Sequence, residues 1–508
     1  MLVMGIDVGT TGAKAAVFDE KGNQRGYGFE EYGIHCPRSG WAEQDGEEVW
    51  NSTKRVIAQS VAECGGREGR AGIAALSLSV QGDAVIPLDH NRNALGPAQL
   101  GMDYRGAEEA AYLAELFGGH WLFQHTGMRA HPLNSLVKIV WLLKNDPGLF
   151  EKAQKLVTYA DFIMAKLGSD DIVIDKTMAS RTMALELDSG KWSPAILEKL
   201  SIDPDKLGVP VPSGTVVGRL SSPLASELGI RAGALLVAGG HDQSCAALGA
   251  GIIDETTALD SHGTAEVVSA AFFSPRTDDC MYESFYPCYF HTVPGMYCTF
   301  ALNHTGGILL KWFVEQFCHA DAEEAKRNGE RLYELVLGKE NSGKPSPVIV
   351  LPHFNGSGTP SCVTSAKGAI LGLTMTTTRH DVARAVNEAL SFELKINLQT
   401  MEKAGIGVKR LRCAGGGARS PLGLQSKADI TGLPFSTLKI REAACLGAAI
   451  LAGIAAGVWK NTGEAAGIIE TGDTYYPNQE NVRLYNERFD IYRQIYDTLT
   501  IKKLIHGL

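Results

Sequence analysis

The sequence lacks several features that would settle its class at once. Its ten cysteines, scattered from Cys36 to Cys445, include no CxxC pair. That argues against a disulfide framework or a zinc site and for reduced thiols in a cytoplasm. Positive charge is not in excess: 48 Lys+Arg stand against 57 Asp+Glu, a net charge of −9, so a general nucleic-acid binder is not expected. The uncharged, Gly/Ala-rich run Ala443 to Val458 is sixteen residues, short of the ~20 that a membrane span needs. Its alanines and glycines suit a tightly packed core helix. The opening residues carry an acid at Asp7 and neither a charged n-region nor an apolar h-region, so no signal peptide is expected. With 44% hydrophobic and 21% charged residues, the chain is also unlike disordered sequences.

What the chain has in plenty is glycine, 57 in 508 residues, about 11% against a usual ~7%. Excess glycine means tight turns and close backbone approaches, where phosphates tend to bind. The length predicts roughly two to four domains. Residues 2–6 and 13–18 read as strands around the turn Gly9-Thr10-Thr11-Gly12, a hairpin; 71–89 reads as two short strands around a polar break. Residues 107–118, 135–145 and 381–404 read as helices, and the tail aromatics Tyr485, Phe489, Tyr492 and Tyr496 are spaced for a closing amphipathic helix that packs on the core. The Gly9-Thr10 pair, followed by AKAAVF, is echoed by Gly263-Thr264, followed by AEVVSAAF, 254 residues later. A half-length echo predicts two similar domains, residues 1–250 and 251–508, joined compactly.

Four segments carry chemistry. Asp7, at a strand end beside Gly9, Thr10, Thr11 and Lys14, suits metal–phosphate work: a carboxylate for Mg²⁺, directly or through water, with turn N–H groups and hydroxyls for phosphate oxygens. It is neither a Walker loop nor a GxGxxG fingerprint. Gly239-Gly240-His241-Asp242-Gln243 follows an apolar strand and opens a helix, so Asp242 is either an N-cap or a base for a hydroxyl proton. Gly415, Gly416, Gly417 and Ala418 leave backbone with no side-chain cover, open to a flat base or a phosphate, or form a flexible loop. Gln81-Gly82-Asp83 and Asp103-Tyr104-Arg105 carry the polar groups a sugar needs, yet a surface turn is the plainer reading of each.

In their order along nearly the whole chain these segments resemble the FGGY carbohydrate kinases of the hexokinase/actin-like superfamily. GIDVGTTGAKAAVFDEKG looks like the family's first phosphate hairpin, and Ser135 to Asn145, with Lys138 and Trp141, follows its S-x-x-K-hydrophobic-x-W pattern. Gly368 to Leu373, Asp381-Val382 and Ala385 to Glu388 resemble its second signature, from which Asn387 departs, an apolar residue being usual there. Leu351-Pro352, Gly356, Thr359-Pro360, Ala428-Asp429 and Glu442 to Ala444 complete the resemblance.

The resemblance implies an α/β fold of two ribonuclease-H-like domains with a cleft between them, the first holding the sugar and the second most of the nucleotide. It implies Asp242 as general base and Asp7 as the organiser of Mg²⁺. Gly9, Thr10, Thr11 and Lys14 would meet the γ-phosphate end of ATP, with Gly263 and Thr264 facing the phosphates from the other half. Gly306, Gly307 and Lys311 would lie near the nucleotide, and Gly415 to Ala418 would face the adenosine. Gln81, Gly82, Asp83, Asp103 and Arg105, with Asp242 and Gln243, would read the sugar. The pattern is most like the xylulokinase subgroup, which has Met-His where this chain has Gly82-Asp83. Gly82 leaves extra room, and Asp83 is free to accept two hydroxyls and would repel an anionic substrate unless Arg105 offsets it. A neutral ketopentose, D-xylulose first, is therefore expected, with ribulose, another ketose or a polyol as alternatives. Regulators of the same fold bind sugar and ATP without turnover, but retention of Asp7 and Asp242 speaks against that reading. Related kinases are often homodimers, and no membrane or nucleic-acid partner is expected.

Overall fold

The computed structural model describes residues 1–64, 72–338, 344–502 and 504. Residue 71 of the expected strand pair, and 503 and 505–508 of the tail, lie outside the described residues.

The opening hairpin forms where apolar runs flank the glycine turn. Strand Leu2–Val8 pairs antiparallel with Gly12–Phe18, setting Asp7 opposite Lys14, and Gly12–Phe18 pairs antiparallel with Gln24–Glu31. On its other side Leu2–Val8 pairs parallel with Ile73–Val80, which pairs parallel with Leu235–His241. An antiparallel edge strand, Val216–Arg219, completes the six-stranded sheet.

The second half repeats this wiring. Thr257–His262, Glu266–Phe272 and Tyr297–Asn303 form an antiparallel meander. Thr257–His262 then pairs parallel with Arg410–Ala414, and that strand with Phe435–Leu438. Thr471–Tyr475 is the antiparallel edge, and the short Tyr289–Phe290 extends the other side to seven strands. The Gly-Thr echo thus marks the same hairpin in two sheets of one topology, the two-sheet α/β architecture expected.

Small residues join the halves. Helix Asp242–Gly249 crosses helix Ala443–Ala455 so closely that a Cβ on Gly249 would lie 1.9 Å from Ala443 O, and one on Gly447 1.8 Å from Cys245 O. A Cβ on Gly5 would meet Cys445 O at 1.8 Å, so the Ala443–Ala455 helix also lies against the first sheet. These contacts are the physical reason for the uncharged Gly/Ala run: backbones approach to a distance that side chains would forbid. Val3, Phe18, Val237, Leu248, Leu446 and Ile450 fill the core there.

The closing helix, Gln479–Tyr496, buries the four tail aromatics. Two residues of the resemblance anchor it: Glu388 accepts from Tyr485 Oη at 3.2 Å, and Asp429 accepts from Asn478 N and Asn481 Nδ2, both at 2.8 Å. All ten cysteines are free. Among the described residues no helix is long and apolar enough to cross a membrane.

Candidate active site

The parallel strands of the first sheet end together. Leu2–Val8 delivers Asp7, Ile73–Val80 delivers Ser79 and Gln81, and Leu235–His241 delivers His241 and Asp242. Gly239 and Gly240 sit at a register shift of the last strand. A Cβ on Gly239 would fall 1.6 Å from Leu78 O, and one on Gly240 2.5 Å from Thr292 Cγ2. Only glycine lets this strand press against its neighbour and still end on Asp242.

Asp242 is the first residue of its helix, where the backbone dipoles favour a negative charge, and Gln243 N donates to its Oδ1 at 2.6 Å. Burial and then the charge of Asp7 push its carboxyl up to about 7, against lowering by Gln243 N–H and Arg181. A carboxyl that titrates there is suited to proton transfer near neutrality. Asp7 is likewise raised, chiefly by burial, with the Ser79 hydroxyl and then Lys14 opposing; Ser79 Oγ donates to Asp7 Oδ1 at 2.7 Å.

The phosphate-type hairpin is held from behind. Gly9 N donates to Gly12 O at 3.0 Å, Tyr32 Oη donates to Gly9 O at 2.6 Å, and Gln44 Nε2 to Thr10 O at 2.6 Å. Gln81 Nε2 reaches Gly9 O at 3.3 Å and Gln44 Oε1 at 3.1 Å, so this amide braces the hairpin. Lys14 Nζ pairs with Glu442 Oε2 at 2.9 Å, tying the first hairpin to the start of the Ala443–Ala455 helix.

The polar islands at 81–83 and 103–105 are not surface turns, the plainer sequence reading: Gln81, Asp83 and Asp103 are buried. Three inferences drawn from Gly82-Asp83 also change. The room at Gly82 is taken by His241, whose Nε2 lies 2.9 Å from the position of a Cβ there. Asp83 is not free to hold two hydroxyls, because Arg181 engages both oxygens, Nη2–Oδ2 at 2.5 Å and Nε–Oδ1 at 3.2 Å. The charge that offsets Asp83 is therefore Arg181 and not Arg105. Asp83 itself has φ +70°, a left-handed conformation that a short polar residue tolerates and the ion pair holds. Arg105 instead binds Asp103 and Glu43 and lies 3.6 Å over the Trp41 ring. Trp141 meets Trp41 edge-on at 5.5 Å, and buried Lys138 donates to Pro132 O and Leu133 O; the S-x-x-K…W pattern thus holds this wall. Gln243 Oε1 is buried with no hydrogen-bond partner among the described residues.

The second glycine-threonine turn opens on a pocket of about 1120 Å³. Gly263, Thr264, Gly307 and Lys311 lie on one side, and Gly416, Gly417 and Ala418 on another. Gly306 does not line it; a Cβ there would strike Ala265 C at 2.6 Å, and Gly306 N donates to Thr264 O at 2.8 Å. The triple glycine has a cause inside the protein. Gly415 has φ +85°, and Cβ atoms on Gly415 and Gly417 would meet His262 at 2.6 and 2.4 Å, while Gly416 is open. Beneath the turn, Lys427 bonds Asp260 at 2.6 Å and His262 Nδ1 at 3.0 Å, and also reaches Glu266.

Sequence reasoning missed His241, Arg181, Ser79 and Lys427. Arg181 had no signal, and His241, quoted only within the segment of Asp242, gave none for its contact with Gly82, since those neighbours come from other parts of the chain. Lys427 lies beside Ala428-Asp429, but its acidic partners are some 160 residues away.

Residues 2–249 match the N-terminal domain of the FGGY family of carbohydrate kinases, and residues 261–456 its C-terminal domain. The chain is 27% identical over 502 residues to a xylulose kinase of Staphylococcus epidermidis, covering 97% of this chain and 96% of that one. It is 29% identical to a glycerol kinase of Deinococcus radiodurans, covering 91% of each, and 27% identical to a gluconokinase of Bacillus licheniformis, covering 96% and 94%. A ligand-bound xylulose kinase from Lactobacillus acidophilus shares the fold at a TM-score of 0.88 with 24% identity, over 100% of this chain and 99% of that one. Two family domains in sequence, and two sheets of one wiring in structure, lead to one conclusion: this chain belongs to the FGGY family of carbohydrate kinases.

Proposed function

We propose that the chain transfers the γ-phosphoryl group of ATP to a hydroxyl of a small neutral sugar, D-xylulose before others, giving D-xylulose 5-phosphate. The observation that carries the reading is Asp242: a helix-start carboxyl with a pKa of about 7, under the influence of Asp7 and Arg181. In this reading residues 1–250 hold the sugar and the base, and 251–508 hold the nucleotide in the pocket bounded by Gly263, Thr264 and Gly416 to Ala418.

Asp242 takes the proton of the attacking hydroxyl, which leaves the alkoxide oxygen to form the new P–O bond as the bond to ADP breaks. A general base of this kind contributes ~10²–10⁴-fold, roughly 3–5 kcal/mol of barrier. The hairpin from Gly9 to Gly12 points its turn at the transferring group, with Thr10 and Thr11 as hydroxyl donors and Lys14 as a cation. Phosphoryl transfer depends on such positioning and charge neutralisation more than on covalent help. A Mg²⁺ ion fits the donor set. Mg²⁺ is commonly held by one or two carboxylates, with water and phosphates completing its shell; Asp7 offers one, and the described residues contain no three-ligand cluster. When bound, the ion would neutralise triphosphate charge.

Full-length similarity to xylulose kinases supports the ketopentose. A polyhydroxy acid such as gluconate is the second reading, favoured by one observation: Arg181 cancels the charge of Asp83, which removes the repulsion expected from sequence. ADP release measured with D-xylulose, D-ribulose, glycerol and gluconate separates them. The highest kcat/KM is expected for D-xylulose; a gluconate maximum supports the second reading. ADP binding without release on any acceptor would overturn catalysis.

A further inference from the structure

Asn387 is a carboxamide in the middle of helix Arg379–Lys403, on its buried face between Val386 and Leu390. Only 8% of the residue is exposed, and what is exposed lines the large pocket, beside Leu390, Leu337, Glu334, Ser420 and Gly423. No described residue hydrogen-bonds to its side chain. The nearby polar group is already engaged: Ser420 Oγ donates to Glu334 Oε1 at 2.6 Å and accepts from Gly423 N at 3.1 Å. Asn387 Oδ1 would stand 3.4 Å from a Cβ on Gly423, so the helix that starts at Pro421 closes over the amide and leaves the pocket as its open side.

An amide with no protein partner among the described residues that opens on a pocket keeps its hydrogen-bonding capacity for a ligand there. A carboxamide offers a donor and an acceptor side by side. The matching ligand group is a planar edge with the complementary pair, on a flat ring that suits the apolar lining Leu337 and Leu390 contribute. The hydrogen-bonding edge of a purine is such a group.

We infer that Asn387 reads the polar edge of the nucleotide's purine base, making it a base-specificity residue of this pocket. This rests on the reading of the pocket as the ATP site. It differs from the part the sequence resemblance gave to Gly415–Ala418, because Gly415 and Gly417 are glycine to accommodate His262.

The test compares wild type, Asn387→Leu and Asn387→Asp by calorimetric titration with ADP and with pyrophosphate, and by melting with and without ADP. Leu removes an amide that no described residue hydrogen-bonds, so the ligand-free protein is expected to melt no lower than wild type. ADP should bind about tenfold more weakly to the Leu variant, pyrophosphate equally to both, and the ADP-induced rise in melting temperature should shrink. Asp keeps the size and the acceptor but loses the donor, so it too should weaken ADP and not pyrophosphate. Equal ADP affinity in wild type and Asn387→Leu, or equal weakening of ADP and pyrophosphate, would overturn the inference alone. A wild-type protein that binds no ADP would overturn the ATP-site reading and the inference with it.

Discussion

Gly82→Ala tests the packing behind the proposed base. The added methyl would sit 2.9 Å from His241 Nε2 and 3.1 Å from its Cδ2, roughly 0.4–1.1 Å inside the ~3.5–4.0 Å optimum. The imidazole is buried, its backbone N–H donates to Thr177 Oγ1 at 2.7 Å, and its ring packs edge-on to Tyr289 at 5.6 Å. Its Nε2 also lies 3.3 Å from Asp242 Oδ1. Overpacking of this kind costs about 1–3 kcal/mol, and a shift of ~1 Å at a reacting group costs on the order of 10²-fold. Gly82→Ala should therefore lower kcat by ~10–100-fold, with a melting temperature a few degrees lower at most. Gly82→Ala combined with His241→Gly vacates the contested space, so the pair should be strongly non-additive: the second change restores part of what the first removed. The assay is coupled ADP release on all four proteins, with melting curves alongside. Wild-type kcat in Gly82→Ala, or strict additivity in the double variant, refutes the steric argument.

Asp242→Asn should cut sugar phosphorylation by ~10²–10⁴-fold while ADP still binds. In the wild type, the limb of the kcat/KM profile that rises with pH should fall near pH 7, because the base works only when ionised and its carboxyl titrates at about 7. The stability linkage has the opposite sign. An acid raised above its unfolded value of 3.8 keeps its proton in the folded state while the unfolded state ionises, so stability falls as pH rises from about 4 to about 7; Asn should flatten that slope, read by denaturant titration across the range. Arg181→Met should destabilise by about 3–5 kcal/mol, since it strands Asp83 as a buried uncompensated charge. Asp83→Leu with Arg181→Met should be milder than Arg181→Met alone, and equal losses would show that the ion pair is not the cause.

Much of the architecture was legible because it is local or repeated. A glycine-threonine turn between two short apolar strand-like runs predicts a hairpin, and its recurrence half a chain later predicts a second domain of the same kind. Heptad-like aromatics in the tail announce the helix that buries them. Asp7 and Asp242 could be named because each ends an apolar run, where a strand delivers its last side chain to an edge.

The surroundings of Gly82 and Asp83 were not legible, and the errors there share one cause. Gly82 reads as empty space, Asp83 as a free acceptor and Arg105 as its counter-charge, because sequence displays only the neighbours along the chain. His241 and Arg181 reach those positions from 159 and 98 residues away, and the triple glycine at 415–417 is explained by His262, not by a ligand alone. The opening hairpin, its repeat in the second half and the placing of Asp7 and Asp242 at the ends of apolar runs were thus set by sequence itself, through apolar patterning and the conformations glycine allows. Which polar atoms remain free to meet a substrate was decided only by tertiary structure, because a side chain's hydrogen-bonding capacity is spent on whatever the fold brings within about 3 Å of it.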